Sequence, residues 1–256
     1  MTPDATESSS STDRSVLVIG PGRAGSAFAG ALERVGWEPA GVFGRGDDLA
    51  SAPPTALVLI ATPDDSIAAV AAELPRRSMT VVAHVAGSRT LEVLGEHPRI
   101  ASIHPLQSIP RGEAGVDQLL SGGWFAVAGD AVAEQIVGDL GGRLVTVDDA
   151  DRVIYHAVAS IASNHLVALL GQVERLAAGI GVPFEAYLDL ARGALDSTAR
   201  VGPTEALTGP AARGDRATLD AHVAALPVDE RATYVALMRE AQRLAGQRAR
   251  GGEQSP

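Results

Sequence analysis

Val16-Leu17-Val18-Ile19-Gly20-Pro21-Gly22-Arg23-Ala24-Gly25 is the stretch on which the fold turns. A four-residue apolar run enters a complete G-x-G-x-x-G on Gly20, Gly22 and Gly25, and an Ala-rich helical pattern leaves it. Each glycine has a physical task. Gly20 permits the tight turn out of a strand, Gly22 lets backbone approach a pyrophosphate, and Gly25 lets helix and strand pack closely. The helix N-terminus then faces the phosphates with free N–H groups and the positive end of its dipole. The pattern alone is weak, and its placement between a buried strand and a helix is what makes it a dinucleotide loop.

Downstream, the hydrophobic pattern alternates between strand and helix. Strands are expected near 39–43, 56–61, 80–85, 99–104, 124–128 and 143–147, with helices near 23–35, 66–74, 90–96 and 131–140. Ala56 to Ala61 is a continuous apolar run bounded by Pro54 and Pro63, the mark of a strand buried on both faces. This predicts an α/β fold, a Rossmann-like doubly wound parallel sheet. Beyond about Asp148 the period becomes helical: a long helix over 149–178, a second opened by Pro183, then 217–226 and 229–247. The expected organisation is a disordered tail over 1–14, a dinucleotide-binding domain over 15–148, an all-α domain over 149–247 and a frayed tail over 248–256.

Composition excludes whole classes of chemistry. The 256 residues carry a formal net charge of −10, which argues against a nucleic-acid or anionic-membrane surface. There is no cysteine, so disulfides, thiolate catalysis and Cys-ligated metals are absent. All 21 basic residues are arginine, which removes any Schiff-base lysine, lysine proton donor or Walker-type phosphate lysine. The first residues lack the basic start and apolar core of a signal peptide, and Gly, Pro or charged residues break every run short of the roughly 20 needed to span a membrane. A soluble, cytoplasmic protein is the expectation.

The cofactor is read from the end of the second strand. An acidic residue about 20 positions past the loop takes the ribose 2′-OH in NAD-binding folds, whereas position 45 is arginine, in Phe43-Gly44-Arg45-Gly46. Arg45 favours the 2′-phosphate of NADP; Asp47 and Asp48 compete in favour of NAD, and a merely solvated loop charge is the other alternative. Thr62 and Asp64, after Ala61 in the turn leaving the third strand, are placed beside the cofactor ribose, with Asp64 alternatively a helix cap.

Taken together with Ala61-Thr62-Pro63-Asp64, His84-Val85-Ala86-Gly87-Ser88, Ser102-Ile103-His104-Pro105-Leu106 and Thr208-Gly209-Pro210-Ala211-Ala212-Arg213-Gly214-Asp215, the loop and Arg45 carry a specific resemblance. Over about residues 15 to 245 the chain resembles a family that joins a Rossmann-like domain to a helical C-terminal domain of unknown function. That family is similar at a distance to ketopantoate reductases, pyrroline-5-carboxylate reductases, prephenate dehydrogenases and 3-hydroxyacid dehydrogenases. The resemblance implies an NAD(P)-dependent oxidoreductase whose helical domain dimerises and closes over the nicotinamide. It also implies a catalytic histidine and serine at His104 and Ser88, with His84 standing where prephenate dehydrogenases have an acid. Ketone-reducing relatives take their proton from a lysine that this chain lacks.

Imidazole has the right range to give a proton to an alkoxide, and His84 and His104 fall at the carboxyl ends of predicted strands, where open α/β sheets bind ligands. The alternative for each is a histidine capping its own turn. On the long helix, His156, Ser160, Ser163 and Asn164 share an arc of about 100°, opposite Ile154, Val158, Ile161, His165 and Leu169. A polar face on a helix expected to be buried suggests a wet cleft, with His156 as replacement acid, Ser160 assisting protonation and Asn164 as a substrate ligand; a hydrated domain boundary would give the same pattern. Arg213, with Thr208 in the same loop, is implied by the resemblance as a carboxylate grip. The function expected is reduction of a small carboxylate-bearing ketone, ketopantoate in pantothenate synthesis being the leading substrate. Imine reduction, prephenate-type oxidation and a non-catalytic NADP sensor stand as alternatives.

Overall fold

The computed structural model describes residues 14–252. Seven strands, β1 (Ser15–Ile19), β2 (Glu38–Phe43), β3 (Leu57–Ile60), β4 (Val81–His84), β5 (Ile100–Pro105), β6 (Trp124–Gly129) and β7 (Arg143–Thr146), form one sheet in the order β2-β1-β3-β4-β5-β6-β7. All neighbours are parallel except β5 and β6, which run antiparallel over Ala101–Pro105. The connections are α1 (Arg23–Arg34), α2 (Ile67–Glu73), α3 (Glu113–Leu119) and α4 (Val132–Asp139). Helix α3 is absent from the sequence reading, because Glu113-Ala-Gly-Val-Asp-Gln-Leu is too short to display a period.

Alternation along the buried strands builds two cores. Val16, Val18, Leu57, Leu59, Val81, Ala83, Ala101 and Ile103 face Phe28, Leu32, Leu119 and Ile136, while Leu17, Ile19, Val58, Ile60 and Val82 face Ile67 and Ala71. The same alternation places His84 two residues after Val82, and Ser102 and His104 on the corresponding face of β5. Winding reverses between β1 and β3, and there the backbone is at its closest. A Cβ on Gly20 (φ +107) would lie 2.6 Å from the Ala61 carbonyl oxygen, and one on Gly25 would overlap the Gly20 carbonyl oxygen.

The chain divides into two compact units, Met1–Asn164 and His165–Pro256. The division falls inside the long helical stretch rather than before it. That stretch is not one regular helix: a short 3₁₀ turn at Asp149–Asp151 leads into α5 (Arg152–Ser160), a π-helical turn at Ile161–His165, and α6 (Leu166–Gly179). The second unit continues with α7 (Phe184–Ala206), α8 (Gly209–Arg213), α9 (Arg216–Ala225) and α10 (Arg231–Gly252). Gln172 donates to the Glu230 carbonyl at 2.8 Å, and Arg175 grips the Glu230 carboxylate at 2.8 and 3.1 Å.

Four expectations are corrected. The segment around Gly209 is a short helix rather than a loop, α10 runs on to Gly252, and Arg14 is tied to Asp139 at 3.0 Å and to the Val35 carbonyl at 3.3 Å. The stretch Asp149–Gly179 is long and apolar enough, by length and composition, to cross a membrane, and its apolar side is exposed rather than buried. The predicted tail over 1–13 and the last four residues lie outside the described residues.

Gly25→Ala is expected to lower the free energy of unfolding by more than about 2 kcal/mol, because its contact is rigid backbone. Gly138→Ala, on an open face of α4, is expected to raise it by up to about 1 kcal/mol. Urea denaturation of the two variants checks both signs.

Candidate active site

Along the carboxyl edge of the sheet, the glycine loop supplies the first half of a site. Helix α1 begins at Arg23 with Gly22 extended as its N-cap and no side chain bonded to the first-turn N–H groups. A Cβ on Gly22 would meet nothing within 4 Å, so the surface over those N–H groups is open. Pro21 and Arg23 are exposed beside it and Ala24 is half-buried. At the end of β2, Asp47 accepts the Gly44 N–H at 2.6 Å and Asp48 accepts from Ser51 and Ala50, so both carboxylates close their own turn. Arg45, inside the turn that Asp47 closes, is exposed. An open amide cradle followed by a free guanidinium at the second strand end fits a dinucleotide with a 2′-phosphate.

The second half is built where α5 meets β5. Ser102 and His104, two apart on the strand, share a face; Arg152 and Tyr155, three apart on the helix, are neighbours on its surface. They join as two rungs. Arg152 Nη1 donates to Ser102 Oγ at 2.9 Å, and the Tyr155 hydroxyl and His104 Nδ1 share a hydrogen bond of 2.7 Å. The His104 ring also stands edge-on to His156 at 6.0 Å between centroids. Gly87 closes the arrangement from β4's side: a Cβ there would sit 2.8 Å from His104 Nε2 and from His156 Cδ2, so any side chain would displace one of the two imidazoles.

His104 borders two cavities. One, of about 370 Å³, extends to Arg23 and Ala24 at the start of α1, also touching Val85, Gln107 and Ile109. The other, of about 390 Å³, runs along α5 and the π turn past Tyr155, His156, Ser160, Ser163 and Asn164. The extra residue in a π turn widens the helix, a feature concentrated at functional sites. The polar arc expected from periodicity is therefore brought to one pocket, with Val158 beside it rather than opposite.

Burial sets the protonation states. Desolvation, reinforced by His156 and Arg152, lowers His104 to about 4; desolvation and the Arg152 charge lower His84 to about 4. Both imidazoles are neutral at neutral pH. Burial raises the Tyr155 phenol, and Arg152 opposes that rise.

The remaining residues fall as follows. His84 is fully buried, its Nδ1 accepting the Ala86 N–H at 3.2 Å. Ser88 donates to Asp64 at 3.0 Å, so Asp64 engages the β4 turn rather than capping a helix, and Arg89 pairs with Asp65 alongside. The Thr62 hydroxyl is buried without a hydrogen-bond partner. Thr208 and Arg213 lie together in the second unit, at the start and end of α8, with Arg213 exposed. Sequence reasoning missed Tyr155, Arg152 and Ser102. Tyr155 directly precedes His156, and its i+3 spacing from Arg152 was the available signal.

These features define a Rossmann-like domain followed by a helical one, and comparison with known proteins agrees. Residues 126–241 match the family model described as a domain of unknown function (DUF2520), which bears out the resemblance read from the sequence. A Bacteroides fragilis protein described provisionally as an NADP oxidoreductase superposes with a TM-score of 0.76 at 21% identity, covering 91% of this chain and 100% of that one. Plasmodium falciparum pyrroline carboxylate reductase with NADP bound gives 0.61 at 13% identity, covering 91% and 99%. A reductive aminase from Aspergillus terreus, in complex with NADPH4, cyclohexanone and allyl amine, gives 0.66 at 15%, covering 94% and 95%. At these identities the likeness establishes the fold. No curated protein matches the chain.

Two histidines held neutral give stability a definite pH dependence. Their folded values lie below the unfolded one near 6.5, so the unfolded state binds more protons between the two and stability falls as pH drops from about 6.5 to about 4. Each contributes a slope of about 1.4 kcal/mol per pH unit inside that window. Chemical denaturation across pH 4–7 should show this slope, and His104→Gln should reduce it.

Proposed function

We propose that the chain is an NADP-dependent oxidoreductase that reduces a small polar carbonyl compound in the pocket beside α5. The observation that carries this reading is the position of His104, which lines both the cavity leading to the glycine loop and the pocket along α5. The bound dinucleotide supplies a hydride to the acceptor. The residues of the chain hold and move the matching proton. With the Tyr155 hydroxyl donating to Nδ1, His104 carries its proton on Nε2 and presents it as an N–H donor to a developing oxyanion. Transfer of that proton to an alkoxide is balanced by movement of the phenolic proton onto Nδ1. The Arg152 charge offsets part of the cost of burying the resulting phenolate, which recovers a proton from solvent. A phenol–imidazole pair thus replaces the lysine this chain lacks.

The substrate reading is finer. Ketopantoate heads the candidates because the family the chain resembles is similar at a distance to ketopantoate reductases, with Ser160 and Asn164 as polar contacts in the pocket. A second reading, imine reduction, is supported by the likeness of the fold to a pyrroline carboxylate reductase and a reductive aminase. The exposed apolar side chains Val153, Ile154, Val158, Ile161 and Val167 support assembly with a second copy of the chain, which would remove them from water.

NADPH oxidation with 2-keto acids and with a cyclic imine, measured side by side, separates the readings; no turnover with either would leave the sensor reading. In whichever reaction appears, His104→Asn and Tyr155→Phe should each lower kcat by about 10²–10³-fold. Arg45→Asp should weaken NADPH binding by at least about tenfold while sparing NADH. Equal losses for both cofactors would contradict the role of Arg45.

A further inference from the structure

At the edge of the sheet opposite the glycine loop, a cavity of about 880 Å³ opens across the amino ends of β1, β3, β4 and β5, which are neighbours in the sheet. It has more than twice the volume of either cavity at His104. Arg14, Arg76, Arg77 and Arg99 line it, and among the described residues no carboxylate does. Their place in the sequence puts them there: Arg14 precedes β1, Arg76 and Arg77 precede β4, and Arg99 precedes β5. Because β6 runs antiparallel to β5, the chain returns to this edge at Asp130, whose N–H donates to the Ile100 carbonyl, and α4 starts there with Val132 in the cavity wall. Three of the arginines are ion-paired, Arg14 with Asp139 at 3.0 Å, Arg76 with Glu96 at 2.7 Å and Arg99 with Asp130 at 2.8 Å, and these carboxylates lie outside the wall. Arg77 differs. It is half-buried and donates to the Ala52 and Pro53 carbonyls at 2.8 and 3.4 Å, which hold the guanidinium in place without neutralising it. Four guanidiniums thus meet three carboxylates around one cavity, in a chain whose net charge is −10. Pro54, Met79 and Val132 give the same cavity an apolar wall, and Met79 is 77% exposed there.

We propose that this cavity at the amino edge binds a small organic phosphate, a phosphomonoester whose anionic group is held by Arg77 and whose body lies against Pro54, Met79 and Val132. A guanidinium offers a planar fork of donors that matches phosphate oxygens, and a phosphomonoester has three terminal oxygens with which to engage more than one arginine, where a carboxylate has two. Half-burial keeps the Arg77 charge less screened by salt than a charge on the open surface. The volume is that of a small-molecule site, which falls at about 300–1,000 Å³. The ligand is distinct from the dinucleotide: β3 alone puts about 17 Å between Ala56 in this wall and Ala61 beside Gly20. The site therefore stands whether or not the proposed reaction is correct.

The test follows the backbone amide resonances of the isotopically labelled full chain during titration with phenyl phosphate, inorganic phosphate and phenol. The expected result is that phenyl phosphate shifts the Ser78, Met79 and Thr80 amides saturably while those of Gly20, Gly22 and Gly25 stay unmoved. It should bind at least about tenfold more tightly than inorganic phosphate or phenol, since each of these lacks one half of the match. Prior saturation with NADPH should leave its affinity unchanged. Arg77→Gln should weaken binding by about tenfold or more. If that variant does not fold, Met79→Glu, at an exposed position, should weaken it by at least about threefold through repulsion of the anion. Shifts confined to the glycine loop, competition with NADPH, or no saturable shift at all would overturn the proposal. So would inorganic phosphate binding as tightly as phenyl phosphate, or an affinity that neither substitution changes.

Discussion

Where β1 and β3 lie side by side, the chain leaves the sheet in opposite directions, and the crevice this opens can exist only if backbone packs on backbone. Gly20 against the Ala61 carbonyl, and Gly25 against Gly20 itself, bring the start of α1 to that crevice with its amide groups uncovered. The rest of the candidate site is arranged along the same carboxyl edge: the Thr62 and Asp64 turn after β3, Gly87 and Ser88 after β4, His104 on β5. A sheet that wound in one direction only would give these turns no common cleft.

Across that edge, α5 is fastened to β5 by two polar rungs whose spacings follow from strand and helix geometry. The fastening determines chemistry as well as position. It buries His104 beside a cationic side chain, so the imidazole stays neutral and behaves as a hydrogen-bond donor coupled to a phenol. The same desolvation that makes the pair chemically useful is a cost in acid, which ties the protein's stability to the state of its site.

The sheet, the glycine loop and the polar arc of the long helix were legible because each leaves a periodic or spaced trace: unbroken apolar runs, three glycines at fixed intervals, polar residues on one helical face. His104 was legible from its place at a strand end. Tyr155, Arg152 and Ser102 were not. An arginine following Asp148, Asp149 and Asp151 reads as solvated charge, and only the docking of α5 on β5 reveals that it is fully buried. A serine inside an apolar strand gives no sign of its partner 50 residues away. The π turn at Ile161–His165 breaks the 3.6-residue count locally, and the division between units falls there, at Asn164 and His165, rather than before the helix. The apolar side of that helix was expected to be buried by its own chain and is exposed, because sequence records that a face is apolar but not what covers it.

The central claim is that a dinucleotide bound at the glycine loop reaches the His104–Tyr155 pair. The most direct measurement is the histidine Cε1–H spectrum of the full chain during titration with NADPH, assigned by substitution of single histidines. The account predicts that His104 and His156 shift together as the site saturates while His97, buried against the Ala71 carbonyl, stays unmoved. Saturable NADPH binding that leaves the His104 resonance unchanged would contradict it.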